Sequence, residues 1–173
     1  MVVCVLVVFL GATEVRAVVS NEELLSYLDS GVLSLARDYF GDRGECDLQI
    51  LECLKFLYLM SSDTSLIQGF LPVSQEVDDV WHYFIIQTRE YESFCKRLPG
   101  SFFIHHKSIH FSIYAQTRDR SSIIRDFIKW IRPYSRLFGG FNEKTANYWI
   151  APKFVCKALN VTPQQLATRL GIR

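Results

Sequence analysis

A chain of 173 residues, 49% hydrophobic and 21% charged, is long enough for one real core, and the absence of a Pro- or Gly-rich linker, a repeat or a low-complexity tract excludes an obvious second domain. The net charge of +1 hides a division: residues 1–106 hold 15 Asp or Glu against 7 Lys or Arg, and residues 107–173 hold 3 against 12. Such asymmetry marks either a surface for an anionic partner or two halves that attract each other once packed.

The chain opens on an apolar run, Val2–Leu10, followed by Gly11, Ala12 and a Val15-Arg16-Ala17 that fits a signal-peptidase site. No Lys or Arg precedes the run, and it is far too short to span a bilayer. Its β-branched residues suit a buried strand equally well. Residues 1–19 are therefore read as an apolar segment, a strand or alternatively a signal peptide, and the expected location is cytoplasmic.

Residues 20–173 read as a mostly α, single-domain helical bundle with short extended segments. Ser20 caps a first helix with Glu22 and Glu23 in its first turn; Leu24, Leu28, Val32, Leu35 and Tyr39 recur at helical spacing, and Gly41 ends it. A second helix, Asp47 to Met60, is apolar nearly all round and should be the central buried element. Ser61–Ser65 is a loop and Pro72 sets the next turn. Ser74 caps a third helix, along which Val77, Trp81, Phe84, Thr88, Tyr91 and Cys95 trace one face before Pro99-Gly100 stops it. Phe102 to His106 is short and extended. A helix over residues 121–138 is kinked or interrupted near Pro133, and Thr162-Pro163 opens a last helix closed by Gly171.

Cys4, Cys46, Cys53, Cys95 and Cys156 include no C-x-x-C pair, and a domain of this size needs no stapling, so free thiols are expected. The histidines carry the chemistry. All four, His82, His105, His106 and His110, fall within one short segment, and imidazole is both the commonest metal ligand and the commonest acid or base near neutral pH. Asp78 lies four residues before His82, on the same side of the third helix, where it can share a metal or orient the imidazole. Asp79 is rotated away. In an extended segment His105 and His106 point to opposite faces, so one of them joins His82. A straight helix from His82 to Pro99 would be about 25 Å long, so the return reaches His82 only if that helix breaks, near Thr88-Arg89 or Cys95. Cys95, about 20 Å from His82 along an unbroken helix, is left out of the site. The candidate ligands of a divalent transition metal are thus Asp78, His82, His105 and His106. The plainer alternative makes Asp78 a cap and His82 a hydrogen-bonded core residue.

Pro72-Val73-Ser74-Gln75-Glu76-Val77-Asp78-Asp79-Val80-Trp81-His82, with Thr88-Arg89-Glu90-Tyr91, Phe94-Cys95, Gly100 and His105-His106, resembles the glycine-rich domain-containing protein-like family over roughly residues 20–150. The resemblance implies a helical domain in which Asp78, Trp81, His82, Tyr91, Cys95, His105 and His106 match the family motif, and it names no reaction. Phe84 stands where many members carry the second histidine of Trp-His-x-His, and no Gly-rich run follows.

Arg125, Lys129, Arg132 and Arg136 fall at i, i+4, i+7 and i+11, a basic stripe opposite Ile124, Phe127, Ile128, Ile131 and Tyr134. It is the solvated face of an amphipathic helix or a surface for phosphates. Three functions remain open on the sequence: a His-based metal-binding protein acting as an oxidase or hydrolase, a binding or scaffold module whose Asp-Trp-His block is structural, and nucleic-acid binding through the basic C-terminal part.

Overall fold

Ser20 caps a helix as expected: its hydroxyl accepts from the Glu23 amide at 3.1 Å and starts α1, Asn21–Ser26. In the computed structural model, which describes residues 18–41, 46–66, 72–106 and 111–171, ten α-helices and one 3-10 turn are present and no strand is. The mostly α architecture of the sequence reading is the one observed. Residues 1–17, with the apolar run and Cys4, lie outside the described residues, as does His110.

The first expected helix is two. Asp29 accepts from the Gly31 amide at 2.8 Å and so caps a new helix, α2, Ser30–Phe40. A short carboxylate that can bond the backbone two residues on competes with helix continuation, and here it wins. The break rotates the second half of the periodic face. Leu24, Leu28, Val32 and Ala36 are buried, while Leu35 and Tyr39 are exposed.

Helix α3, Cys46–Ser62, is the central element, with every residue from 52 to 61 buried. A 3-10 turn, Thr64–Leu66, follows it. After α4, Gln75–Ile86, and α5, Thr88–Arg97, come α6, Phe111–Gln116, and α7, Arg120–Phe138. Asp119 caps α7 by accepting from the Ser122 amide at 2.9 Å, and Gly139, at φ 80°, ends it in the left-handed region that favours glycine. The interruption expected at Pro133 does not occur. Pro133 lacks the N–H that would reach Lys129, and that residue is exposed, so water can satisfy the freed carbonyl.

Helices α8, Glu143–Ala146, α9, Ile150–Leu159, and α10, Pro163–Arg169, complete the chain. Thr162 and Gln165 form a reciprocal cap at the start of α10, as the Thr-Pro signal suggested. One contiguous core joins residues from α1 to α10.

Two polar ties hold these helices in register. Val73 and Trp149 form an isolated antiparallel bridge, flanked by Ser74 N–H to Tyr148 O at 2.9 Å and Ile150 N–H to Pro72 O at 2.6 Å. This fixes the start of α4 against the α8–α9 corner. Ser74 precedes α4 in the extended conformation of a cap, but its side chain makes no capping hydrogen bond. The second tie is buried. The Glu52 carboxylate accepts from Lys55 Nζ at 2.8 Å, Tyr134 OH at 2.9 Å and Trp149 Nε1 at 2.8 Å, so one charge on α3 holds α7 and the entry to α9. The ion pairs of the described residues each stay within the acidic or the basic half. The halves are bridged instead by the Glu52 cluster and by backbone bonds such as Ser74 N–H to Tyr148 O and Val19 N–H to Leu137 O.

Candidate metal centre

Helix α4 carries Asp78 and His82 one turn apart, and the Asp78 side chain is only 12% exposed against 52% for that of His82. Asp79 faces outward, where it accepts from Gln75 Nε2 at 2.8 Å. The expected long helix breaks at Gln87, whose ψ of 58° leaves the helical region, and α5 begins at Thr88. Ten residues along a straight helix would separate Trp81 from Tyr91 by about 15 Å. Instead Trp81 Nε1 donates to Tyr91 OH at 2.9 Å. The break sits at the edge of Thr88-Arg89, one of the two places expected for it, and not near Cys95.

The Tyr91 hydroxyl in turn donates to Ile104 O at 2.7 Å. Burial pushes the Tyr91 phenol far above its ordinary range, so it keeps the proton it donates. Its neighbours Cys95 and Cys53 are buried thiols. Burial raises both, and the charge of Asp78 raises Cys53 further. Cys53, Cys95 and Cys156 are free thiols, as expected, and Cys95 supports the Tyr91 hydroxyl rather than joining the ligand cluster. The other end of the returning segment is closed at Gly100, whose amide donates to Ser61 Oγ at 2.8 Å. A Cβ at Gly100 would run into the Ser61 carbonyl and the Phe102 ring, so the turn requires glycine on packing grounds.

With Ile104 drawn inward, the residue two further on follows it and the one between does not. His106 lies with its ring centroid 4.4 Å from that of Trp81 and 4.3 Å from that of His82. Its Nε2 is 2.9 Å from Asp78 Oδ1, while His82 Nδ1 is 3.6 Å from Asp78 Oδ2. A carboxylate can only accept, so in the neutral ring the Nε2 proton points at Asp78. His105 turns outward, exposed, with its ring 4.9 Å from that of Phe103. Of the four candidate ligands, Asp78, His82 and His106 come together and His105 stands apart. Alternation places His106 on the side of the apolar Ile104, but the hydrogen bond that draws Ile104 inward has no signal in the local sequence.

One donor atom from each of Asp78, His82 and His106 lies within 4.8 Å of the other two. Bonds of about 2 Å to a common ion put donors about 3–4 Å apart, so the cluster needs a small closure to hold one. Two imidazoles and a carboxylate are neutral or singly negative and suit first-row transition metals better than Mg²⁺ or Ca²⁺. The sequence reading missed the fixing elements, Tyr91 OH and Ile104 O.

The basic stripe is on α7, and Arg125, Lys129, Arg132 and Arg136 are all exposed. It is diluted from within: Asp126 pairs with Lys129 at 2.9 Å and with Arg118 at 2.7 Å, and Arg125 donates to Ser122 Oγ at 2.8 Å. No helix among the described residues is long and apolar enough to cross a membrane.

Compared with known proteins, residues 39–132 match the family model described as UCP032817-like, a span that holds Asp78, Trp81, His82, Tyr91 and His106. No curated protein and no solved structure matches the chain.

Proposed function

The chain belongs to the UCP032817-like family, and we propose that it binds one divalent transition-metal ion through Asp78, His82 and His106. The observation that carries this reading is the convergence of those three side chains, from a helix and a separately anchored return, to within 4.8 Å. Bound there by three protein ligands, a metal would retain positions at which to polarise an oxygen of water or substrate, the chemistry of hydrolases and oxidases alike. The protein's own contribution is orientation: the buried Asp78 carboxylate addresses both imidazoles, and the half-exposed His82 marks the side open to solvent. The proposal extends to kinship with the glycine-rich domain-containing protein-like family, resting on Asp78, Trp81, His82, Tyr91, Cys95, His105 and His106.

The test is a titration of untagged, chelator-stripped protein with Zn²⁺ and with Co²⁺, whose visible absorption reports the ligand field. One equivalent should bind to the natural protein, and Asp78→Asn and His106→Ala should each lose it. Binding should also weaken in acid, because imidazole ligates only when deprotonated. A second reading has its own support. The 2.9 Å contact between His106 and Asp78 is already a complete hydrogen bond, sufficient by itself to latch the return to α4 in a scaffold module. In that case neither metal binds, and Asp78→Asn costs stability alone.

A further inference from the structure

We propose that Tyr91 is the positioning residue of this site: its hydroxyl, through Ile104, sets where His106 stands and so tunes the affinity for metal. The inference rests on the metal-binding reading above. His82 and Asp78 share one helix and keep their spacing in any state in which α4 is formed, but His106 comes from a segment with no regular secondary structure. Between Gly100 and His106 the backbone is tied at Gly100, at Ser101, whose N–H bonds Leu98 O at 2.9 Å, and at Ile104. Gly100 N–H bonds Ser61 on α3, and Ile104 O accepts from Tyr91 on α5. The tie at Ile104 is two residues from the ligand, so it fixes the direction in which His106 leaves the backbone.

The Tyr91 hydroxyl also works in both directions, since it accepts from Trp81 Nε1 while donating to Ile104. Trp81 in turn is the ring against which His106 packs at 4.4 Å. One oxygen thereby sets both the backbone that carries the imidazole and the wall behind it. Removing that oxygen leaves a buried N–H and a buried carbonyl unpaired and loosens the segment on α5, where Cys95 still meets the Ile104 backbone and the Tyr91 ring still packs on Phe103, without loss of any metal ligand. Hydrogen bonds one step removed from a metal commonly change affinity by about 10–100-fold when lost.

The experiment compares Zn²⁺ affinity and Co²⁺ absorption for the natural protein, Tyr91→Phe and Tyr134→Phe. Tyr134 loses a buried hydroxyl of the same kind, but one bonded to Glu52 and not to the site. Tyr91→Phe should bind about 10–100-fold more weakly with an altered Co²⁺ spectrum, while Tyr134→Phe keeps the natural affinity and spectrum despite its own loss of stability. Natural affinity in Tyr91→Phe overturns the inference and leaves the metal reading intact, and so does an equal loss in both variants, which would report general destabilisation. A natural protein that binds neither ion overturns the metal reading itself. Should Tyr91→Phe fail to fold, hydrogen exchange on the natural protein decides. Zn²⁺ should slow exchange over residues 102–106 and over 88–94 together; slowing confined to α4 overturns the inference.

Discussion

Trp81 meets three neighbours with three different properties of one indole. It packs edge-to-face with Phe56 of α3 at 5.2 Å between ring centroids, its Nε1 donates to Tyr91, and the His106 ring centroid lies 4.4 Å from its own. At 1% exposure it is a core residue, and Trp81→Ala should cost about 3–5 kcal/mol, read as a lowered urea midpoint. An unchanged midpoint would show that the indole contributes contact without packing. At this scale much was legible. Asp78 and His82 were recognisable because four residues is one helical turn, and Trp81 because Val77, Val80 and Phe84 surround it. What could not be read directly was the choice between His105 and His106. That choice follows from a hydrogen bond between residues 91 and 104, and no local pattern encodes a bond across thirteen residues.

Helix α3 shows how an element can be placed correctly while its chief polar feature is overlooked. Its nearly uniform apolar surface announced a buried helix, yet Glu52 and Lys55 are buried inside that surface. A lone Glu and Lys three apart in an apolar run look like a solvated edge until partners arrive from elsewhere, here Tyr134 on α7 and Trp149 before α9. Those partners lie about eighty and a hundred residues on, beyond any window of periodicity. Burial and the Glu52 charge together push the Tyr134 phenol far up, so it keeps the proton it donates to Glu52. Glu52→Ala leaves the Lys55 ammonium buried with only the Tyr134 hydroxyl at 3.4 Å, and the Tyr134 and Trp149 donors without an acceptor, and should destabilise by about 3–5 kcal/mol. Chemical denaturation of the variant checks this; a loss under about 1 kcal/mol would mean that water reaches the cluster and replaces the carboxylate. The other element-level differences have the same origin. The breaks at Asp29 and Gln87 keep the expected periodic face but redirect its second half, because a cap or a turn chosen by tertiary packing outweighs helix propensity.

Across the whole molecule the fold stores protons that the unfolded chain would release, and the consequence is a sensitivity to alkali. Burial, reinforced by the Asp126 carboxylate that its hydroxyl bonds at 2.7 Å, raises the Tyr114 phenol to about 12. Burial pushes Tyr91 and Tyr134 higher still, and the thiols of Cys53 and Cys95 are raised as well. The sign follows from the order of the two values. A group that is harder to deprotonate when folded gives stability that is complete below its unfolded value and lost as pH rises toward its folded one. The thiols start the loss near their ordinary value of about 8.5 and the tyrosines add to it from about 10. Each group that stays protonated only in the folded state removes about 1.4 kcal/mol per pH unit, so the decline should steepen between pH 10 and 12, the window Tyr114 defines. Asp126 gives the opposite edge. Burial raises its carboxyl, but the Tyr114 hydrogen bond and the charges of Lys129 and Arg118 outweigh that and hold it below the usual carboxylate range, so its contribution fades only in strong acid. Urea midpoints measured from pH 8 to 11 should therefore fall with increasing slope, and Tyr114→Phe should make the last part shallower. Tyrosinate absorbance near 295 nm should appear in step with unfolding for the buried phenols. A midpoint that stays level to pH 11 would mean that the helices around α5, α6 and α7 open to hydroxide without unfolding, and that the core is less tightly closed than its buried aromatic residues require.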